Sequence, residues 1–184
     1  MDGLNAVLAG IERIGAQWML GGSLAAMCYS EPRATLDADC IIALMPHHVD
    51  SIIAAFPENE FYVSPAAVLT HEIRRGAAGS FNIIHHVTGF KADCYPCGQD
   101  NLMLWGLAHS AQLPVDGTIR PVAPPEYIVV MKLRFFSLSG QDKHLRDIRS
   151  IIRLLPELNT ALVEQWANRY GVLTAWQLAR GSLR

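Results

Sequence analysis

The 184-residue sequence carries little charge and no long apolar run. Only 17% of its residues are Asp, Glu, Lys or Arg, and no window approaches the roughly 18 consecutive apolar residues of a membrane helix. Low charge beside 51% hydrophobic residues and a mean hydropathy of +0.18 excludes an acidic or low-complexity disordered chain. The first twenty residues hold acids where an export signal would hold a basic leader, so the expected setting is the cytoplasm, with no membrane partner. The four cysteines, Cys28, Cys40, Cys94 and Cys97, do not form a disulfide framework for a chain of this size, which also suits a reducing compartment. No H-E-x-x-H surrounds the paired histidines and no nucleophile-elbow spacing occurs, so zinc-protease and serine-hydrolase chemistry have no support.

A chain of this length can bury roughly 70% of its unfolded surface and folds without disulfides or structural metal. Its charge is uneven. Residues 1–119 hold 5 Lys and Arg against 12 Asp and Glu, whereas residues 120–184 hold 10 against 5. The first part is suited to cations and the second to phosphates, although asymmetry of this size also arises without function.

Hydrophobic periodicity divides the chain in the same place. Residues 4–14 predict an amphipathic helix, 17–20 a short apolar strand, and Gly21-Gly22-Ser23 a turn into a helix over 24–29. Residues 35–44 read as a strand and 47–56 as a helix; 60–63 and a helical 66–71 follow, then strands at 80–85 and 89–95 joined like a hairpin. Beyond Pro96 a helix is expected over 101–109 and a short strand over 119–122. A long helix opens at Pro124-Pro125-Glu126, with further helices near 143–154, 160–170 and 172–180. The expected fold is α/β (α+β): a small mixed sheet in residues 1–120 and a C-terminal helical subdomain in 121–184, packed as one unit.

The sharpest chemical feature is Asp37 and Asp39 inside an apolar strand. Residues i and i+2 of a strand share a face, so both carboxylates project together, and their repulsion calls for protonation, basic partners or a divalent cation. Asp93 sits in a second expected strand. If the two strands are neighbours, three hard oxygen ligands converge in the manner that suits Mg²⁺ shared with phosphates; otherwise Asp37 is a turn residue and Asp93 a strand end. Gly22 and Ser23 stand at a strand-to-helix turn whose N–H groups and hydroxyl could hold phosphate. Thirteen residues separate Ser23 from Asp37, about enough for one helix and a return into the adjacent strand.

Lys143, Arg146, Arg149 and Arg153 recur at helical spacing, either as a nucleic-acid or nucleotide stripe or as a solvated helix face. Cys94-Tyr95-Pro96-Cys97 lacks the preceding helix terminus of a redox pair and the extra ligands of a zinc site. Cys94 is therefore expected in the sheet core and Cys97 in a loop.

Gly21-Gly22-Ser23, then Pro32-Arg33-Ala34-Thr35-Leu36-Asp37-Ala38-Asp39, then the isolated Asp93, resembles the nucleotidyltransferases of the DNA polymerase beta superfamily. Pro124 to Ile128, Lys132-Leu133 and Lys143 to Ile148 look like the helical region of the abortive-infection and toxin-type branch, so the resemblance spans about residues 15–155. It implies a nucleoside triphosphate substrate, ATP among the candidates, and Mg²⁺ (or Mn²⁺) on Asp37, Asp39 and Asp93, with Asp93 also helping to activate an acceptor hydroxyl. It further implies Gly22, Ser23, Lys132, Lys143 and, more weakly, Arg33 on the phosphates, and Asp147 orienting a lysine. The implied reaction moves a nucleoside monophosphate to a hydroxyl of a protein, a tRNA end or a small molecule. The alternative is a non-catalytic binding or regulatory protein on the same fold, such as a toxin–antitoxin component with a partner protein. Many relatives carry Lys-Asp where this chain has Lys143-His144.

Overall fold

A computed structural model describes residues 3–32, 34, 35 and 37–181. The chain begins with helix α1 (Gly3–Arg13), strand β1 (Trp18–Leu20), the short helix α2 (Gly22–Met27) and strand β2 (Asp37–Ile42). Next come α3 (Val49–Ala55), β3 (Phe61–Val63), α4 (Ala66–Arg75), β4 (Phe81–His85) and β5 (Lys91–Pro96). The remainder is α5 (Asn101–Ala108), β6 (Ala111–Val115), β7 (Thr118–Val122), α6 (Pro125–Ser139), α7 (Asp142–Leu154), α8 (Thr160–Arg169) and α9 (Leu173–Gly181). Among the described residues, no helix is long and apolar enough to cross a membrane.

The strands form one seven-stranded mixed sheet in the order β3-β4-β5-β2-β1-β7-β6. β2 and β5 run parallel at its centre, and each is flanked on its other side by an antiparallel neighbour. Both central strands alternate strictly over their first four residues. Ala38, Cys40, Ala92 and Cys94 are fully buried, while Asp37, Asp39, Lys91 and Asp93 lie half-buried on the opposite face. Period-two alternation therefore separates a core face from a chemical face on the same pair of strands.

The chemical face is roofed by helices. Met19 of β1 stands opposite Ile41 of β2, on the acids' side of the sheet. Gly106 of α5 lies close enough to Met19 and Tyr127 that a Cβ there would come within 2.8 Å of both, so α5 and α6 close down on that side. α6 begins at Pro125, where a missing N–H is tolerated, and ends on Gly140 in the left-handed region. Buried or half-buried over residues 125–133, with Tyr127, Ile128, Val129, Val130 and Leu133 in the core, it is the post against which α2, α7, α8 and α9 pack. The apolar core runs without a break from α1 to α9. Arg120, buried in β7, reaches Glu12 and ties α1 to that end of the sheet.

The structure departs from the sequence-based expectation in two places. β6 is a strand where none is expected, and it forms a hairpin with β7 through Asp116 and Gly117, both with positive φ. Pro114 breaks the strand pattern in sequence, but β6 is the sheet's edge, where a residue without an N–H loses no ladder bond. The helix expected over 66–71 continues to Arg75.

Candidate functional site

The parallel pairing of β2 with β5 sets the site's geometry. Asp37 lies opposite Lys91, Asp39 opposite Asp93, and Ile41 opposite Tyr95. In a parallel pair, opposed residues share a face, so three carboxylates from two strands occupy one small area of sheet. Asp37 and Asp39 open into a cavity of about 420 Å³. Its other walls come from Gly22 and Ser23 on α2, Tyr95 on β5, Met103 on α5, Tyr127, Met131, Lys132 and Phe135 on α6, and Lys143 and His144 on α7. Arg33 lies outside the described residues. Of the remaining expected residues, Gly22, Ser23, Asp37, Asp39, Lys132 and Lys143 meet in this one cavity, and Asp93 stands beside Asp39 without lining it.

The glycine turn is held against the acids by the backbone. The Gly21 N–H donates to the Asp39 carbonyl at 2.8 Å. Gly22 has φ of +57°, and a Cβ on it would fall 1.7 Å from Asp39 Oδ2, so only glycine lets the turn approach the carboxylate. The helix that follows is short, six residues rather than a long phosphate-binding helix.

Each acid has its own surroundings. The Thr35 hydroxyl donates to Asp37 Oδ1 at 2.8 Å. Burial, then the charges of Asp37 and Asp93, push the Asp39 carboxyl above its ordinary value; the Tyr95 hydroxyl, which donates to it, and the Lys132 charge oppose the rise. Tyr95 is itself held protonated well above the ordinary phenol range by burial and by Asp39 and Asp93. Asp93 Oδ2 accepts from Lys91 Nζ at 2.8 Å, and this contact, together with the other two acids, raises the lysine's pKa.

The cations differ in kind. Lys132 is only 5% exposed and donates to Asp147 Oδ2 of α7 at 2.6 Å. Lys143 is exposed at the first turn of α7. His144 stacks on Phe135 with ring centroids 5.7 Å apart, an aromatic contact that the Asp of the resembled pattern would lack. Of the basic stripe, Arg153 pairs with Glu31 and Lys143 alone lines the cavity. The four cysteines are unpaired; Cys40, Cys94 and Cys97 are buried away from the acids' face or beyond the strand end, Cys97 more deeply than a loop position suggests.

Sequence reasoning overlooked Lys91, Thr35, Tyr95 and Tyr127. The first three sit two residues from an acid, so the same period-two rule that grouped Asp37 with Asp39 would have put Lys91 and Tyr95 on the face of Asp93. Tyr127 belongs to a helix whose roofing of the site is a tertiary fact. It is 2% exposed, and its hydroxyl has no hydrogen-bond partner among the described residues.

The donor set fits a divalent cation. Two carboxylates line the cavity, and burial together with the charges of Asp37 and Asp93 disfavours ionised Asp39, a cost that a cation beside it relieves. Among the described residues no three His, Cys, Asp or Glu side chains are gathered into a ready cage, and Asp93 is engaged by Lys91. Mg²⁺ needs no cage, since it is commonly held by one or two carboxylates and completed by water and substrate phosphates.

No family model matches the sequence, and no curated protein does either. Solved structures do match. The solution structure of the antibiotic-resistance factor ANT(2'')-Ia superimposes with a TM-score of 0.59 at 14% identity, covering 98% of this chain and 96% of that one. The crystal structure of ANT(2'')-Ia in complex with adenylyl-2''-tobramycin gives 0.59 at 15% identity, over 91% of this chain and 96% of that one. An antigenic nucleotidyltransferase-like protein from Paracoccidioides brasiliensis gives 0.52 at 15% identity, over 94% and 91%. The chain has a nucleotidyltransferase fold. The mixed sheet and the helices after it are thus those of a known architecture, and the central strands of this nucleotidyltransferase fold carry its three acids.

Proposed function

We propose that the protein is a nucleotidyltransferase that moves a nucleoside monophosphate from a nucleoside triphosphate to an acceptor hydroxyl. The observation that carries the reading is the register of the two central strands. It sets Asp93 beside Asp39, which with Asp37 floors a cavity whose far wall holds Lys132 and Lys143. Anionic floor and cationic wall suit a metal-bound triphosphate between them.

Mg²⁺ or Mn²⁺, held by Asp37 and Asp39, would neutralise negative charge on the phosphates. The chain's own residues do the rest. Lys132, fixed by Asp147, and Lys143 bind and orient phosphate oxygens, with Gly22 and Ser23 beside them and Arg33 a further candidate. Met131, Phe135 and Leu138 offer an apolar wall for the base. The acceptor oxygen bonds to the α-phosphorus, and the bond to the bridging oxygen breaks with its electron pair leaving on pyrophosphate. The hydroxyl proton passes to Asp93, which stands one strand from the metal-binding pair.

ATP as donor and a small hydroxylated molecule as acceptor are favoured over a protein or tRNA acceptor, because the ANT(2'')-Ia complex holds an adenylylated small molecule. Use of a nucleoside triphosphate and four unpaired cysteines support a cytoplasmic setting. The test is pyrophosphate release from each of the four ribonucleoside triphosphates with Mg²⁺, in the presence of small-molecule, protein and RNA fractions of a cell extract. Release that depends on one fraction, and that Asp37→Ala/Asp39→Ala lacks, is the expected result. No release from any nucleotide with any fraction would overturn the reading.

A further inference from the structure

Asp93 is the member of the acid trio that is already occupied. Lys91 lies two residues before it on the same face of β5 and directly opposite Asp37 on β2. Its ammonium sits 2.8 Å from Asp93 Oδ2, and its charge is felt by Asp37 and Asp39 as well. The two side chains differ in freedom. Lys91 is 37% exposed and has a route to solvent, whereas Asp93 is 19% exposed and fixed on a central strand. One ammonium supplies a single positive charge to three carboxylates, fewer than a divalent cation would. It also takes an acceptor site on Asp93 Oδ2 and sets a positive charge beside the carboxylate, which opposes inner-shell coordination of a cation by Asp93.

We propose that Lys91 is a positioning residue, a resident counter-ion that holds Asp93 apart from the Asp37–Asp39 pair in the nucleotide-free protein and releases it when the metal–triphosphate complex enters. The inference rests on the reading of Asp37 and Asp39 as the metal-binding pair. It has a specific consequence: free protein binds a divalent cation through two carboxylates, and loss of the lysine charge recruits the third.

The test is a Mn²⁺ titration of nucleotide-free protein, with unbound Mn²⁺ followed by electron paramagnetic resonance. Lys91→Met is expected to bind Mn²⁺ roughly tenfold more tightly than wild type, since it removes a unit charge a few ångströms away and frees a ligand. Lys91→Arg keeps the charge and should stay near wild type. A general field effect would also tighten binding, so Lys91→Met/Asp93→Asn is compared with Asp93→Asn alone: if the lysine acts through Asp93 the two bind Mn²⁺ equally and the gain from the methionine disappears, whereas a field effect still tightens the double variant. Lys91→Gln repeats the measurement with a polar side chain should the methionine variant fold poorly. Unchanged or weaker Mn²⁺ binding in both Lys91→Met and Lys91→Gln, or a gain that survives in the double variant, would overturn the proposal and leave the metal-binding pair standing. No Mn²⁺ binding by wild type or any variant would overturn both.

Discussion

Asp39→Asn is expected to abolish nucleotidyl transfer and, at the same time, to raise the melting temperature of the metal-free protein at neutral pH. The two effects share one cause. Burial and the adjacent charges of Asp37 and Asp93 push the Asp39 carboxyl above its ordinary value, so the folded protein holds its ionised form at a disadvantage. Between the ordinary value and the raised one, the native state keeps a proton that the unfolded chain gives up. Stability therefore falls as pH rises through that window, and the full penalty is present above it. Asparagine removes the charge, keeps the shape and can still accept from the Tyr95 hydroxyl. Relief of such active-site strain is worth about 1 kcal/mol, which moves the melting temperature of a chain this size by about 3 °C. Thermal unfolding in a chelator at pH 7.5 should show the gain, and at pH 4 the gap should narrow as wild-type Asp39 itself becomes protonated. Transfer should drop by roughly a thousandfold or more, because a charge that acts on the transition state is gone. A lower melting temperature at pH 7.5 would instead make Asp39 a structural residue.

Lys132→Met should produce the largest loss of stability of any single change at the site. Lys132 and Asp147 form a pair at 2.6 Å in which the lysine side chain is 6% exposed and the aspartate 13%. Removal of the lysine takes the 2.6 Å cationic partner from a buried carboxylate, a change that costs about 3–5 kcal/mol. For a chain of this size that corresponds to a fall in melting temperature of roughly 10 °C. Replacement of both partners, Lys132→Met/Asp147→Leu, should recover most of the loss, since an apolar pair fills the same space without stranding a charge. Recovery should extend to the fold and not to the chemistry. The double variant would lack a phosphate-binding ammonium in the cavity wall, and its apparent affinity for the triphosphate should stay weak. A single variant that melts within 2 °C of wild type, within about 1 kcal/mol, would show that the pair is not buried in solution. A double variant no better than the single would show that Asp147 is not the stranded charge.

Local rules made part of this site legible in the sequence. The alternation in residues 37–40 implied that both acids share a face, and the Pro124-Pro125 start and Gly140 stop of α6 implied a long helix. What those rules left open is who sits beside whom. Whether Asp93 joins Asp39 depends on β5 lying next to β2 in parallel, and that register is set by every contact that shapes the sheet. The Lys132–Asp147 pair depends in the same way on how α7 folds back against α6. Lys91 was passed over for a different reason. Its place on the acids' face follows from spacing alone, but a lysine in a strand carries no signal until its partner's surroundings are known. β6 carries no clear signal of its own, since Pro114 argues against a strand unless the strand is known to be an edge.

Nucleotidyl transfer differs from phosphoryl transfer in which phosphorus atom moves. The most direct measurement uses ATP labelled with ³²P at the α-position in one reaction and at the γ-position in another, each with Mg²⁺ and the acceptor fraction that supports pyrophosphate release. Transfer of a nucleoside monophosphate predicts α-label on the acceptor and γ-label in pyrophosphate, both lost in Asp37→Ala/Asp39→Ala. Label on the acceptor from the γ-position, or α-label that never leaves the nucleotide, would contradict it.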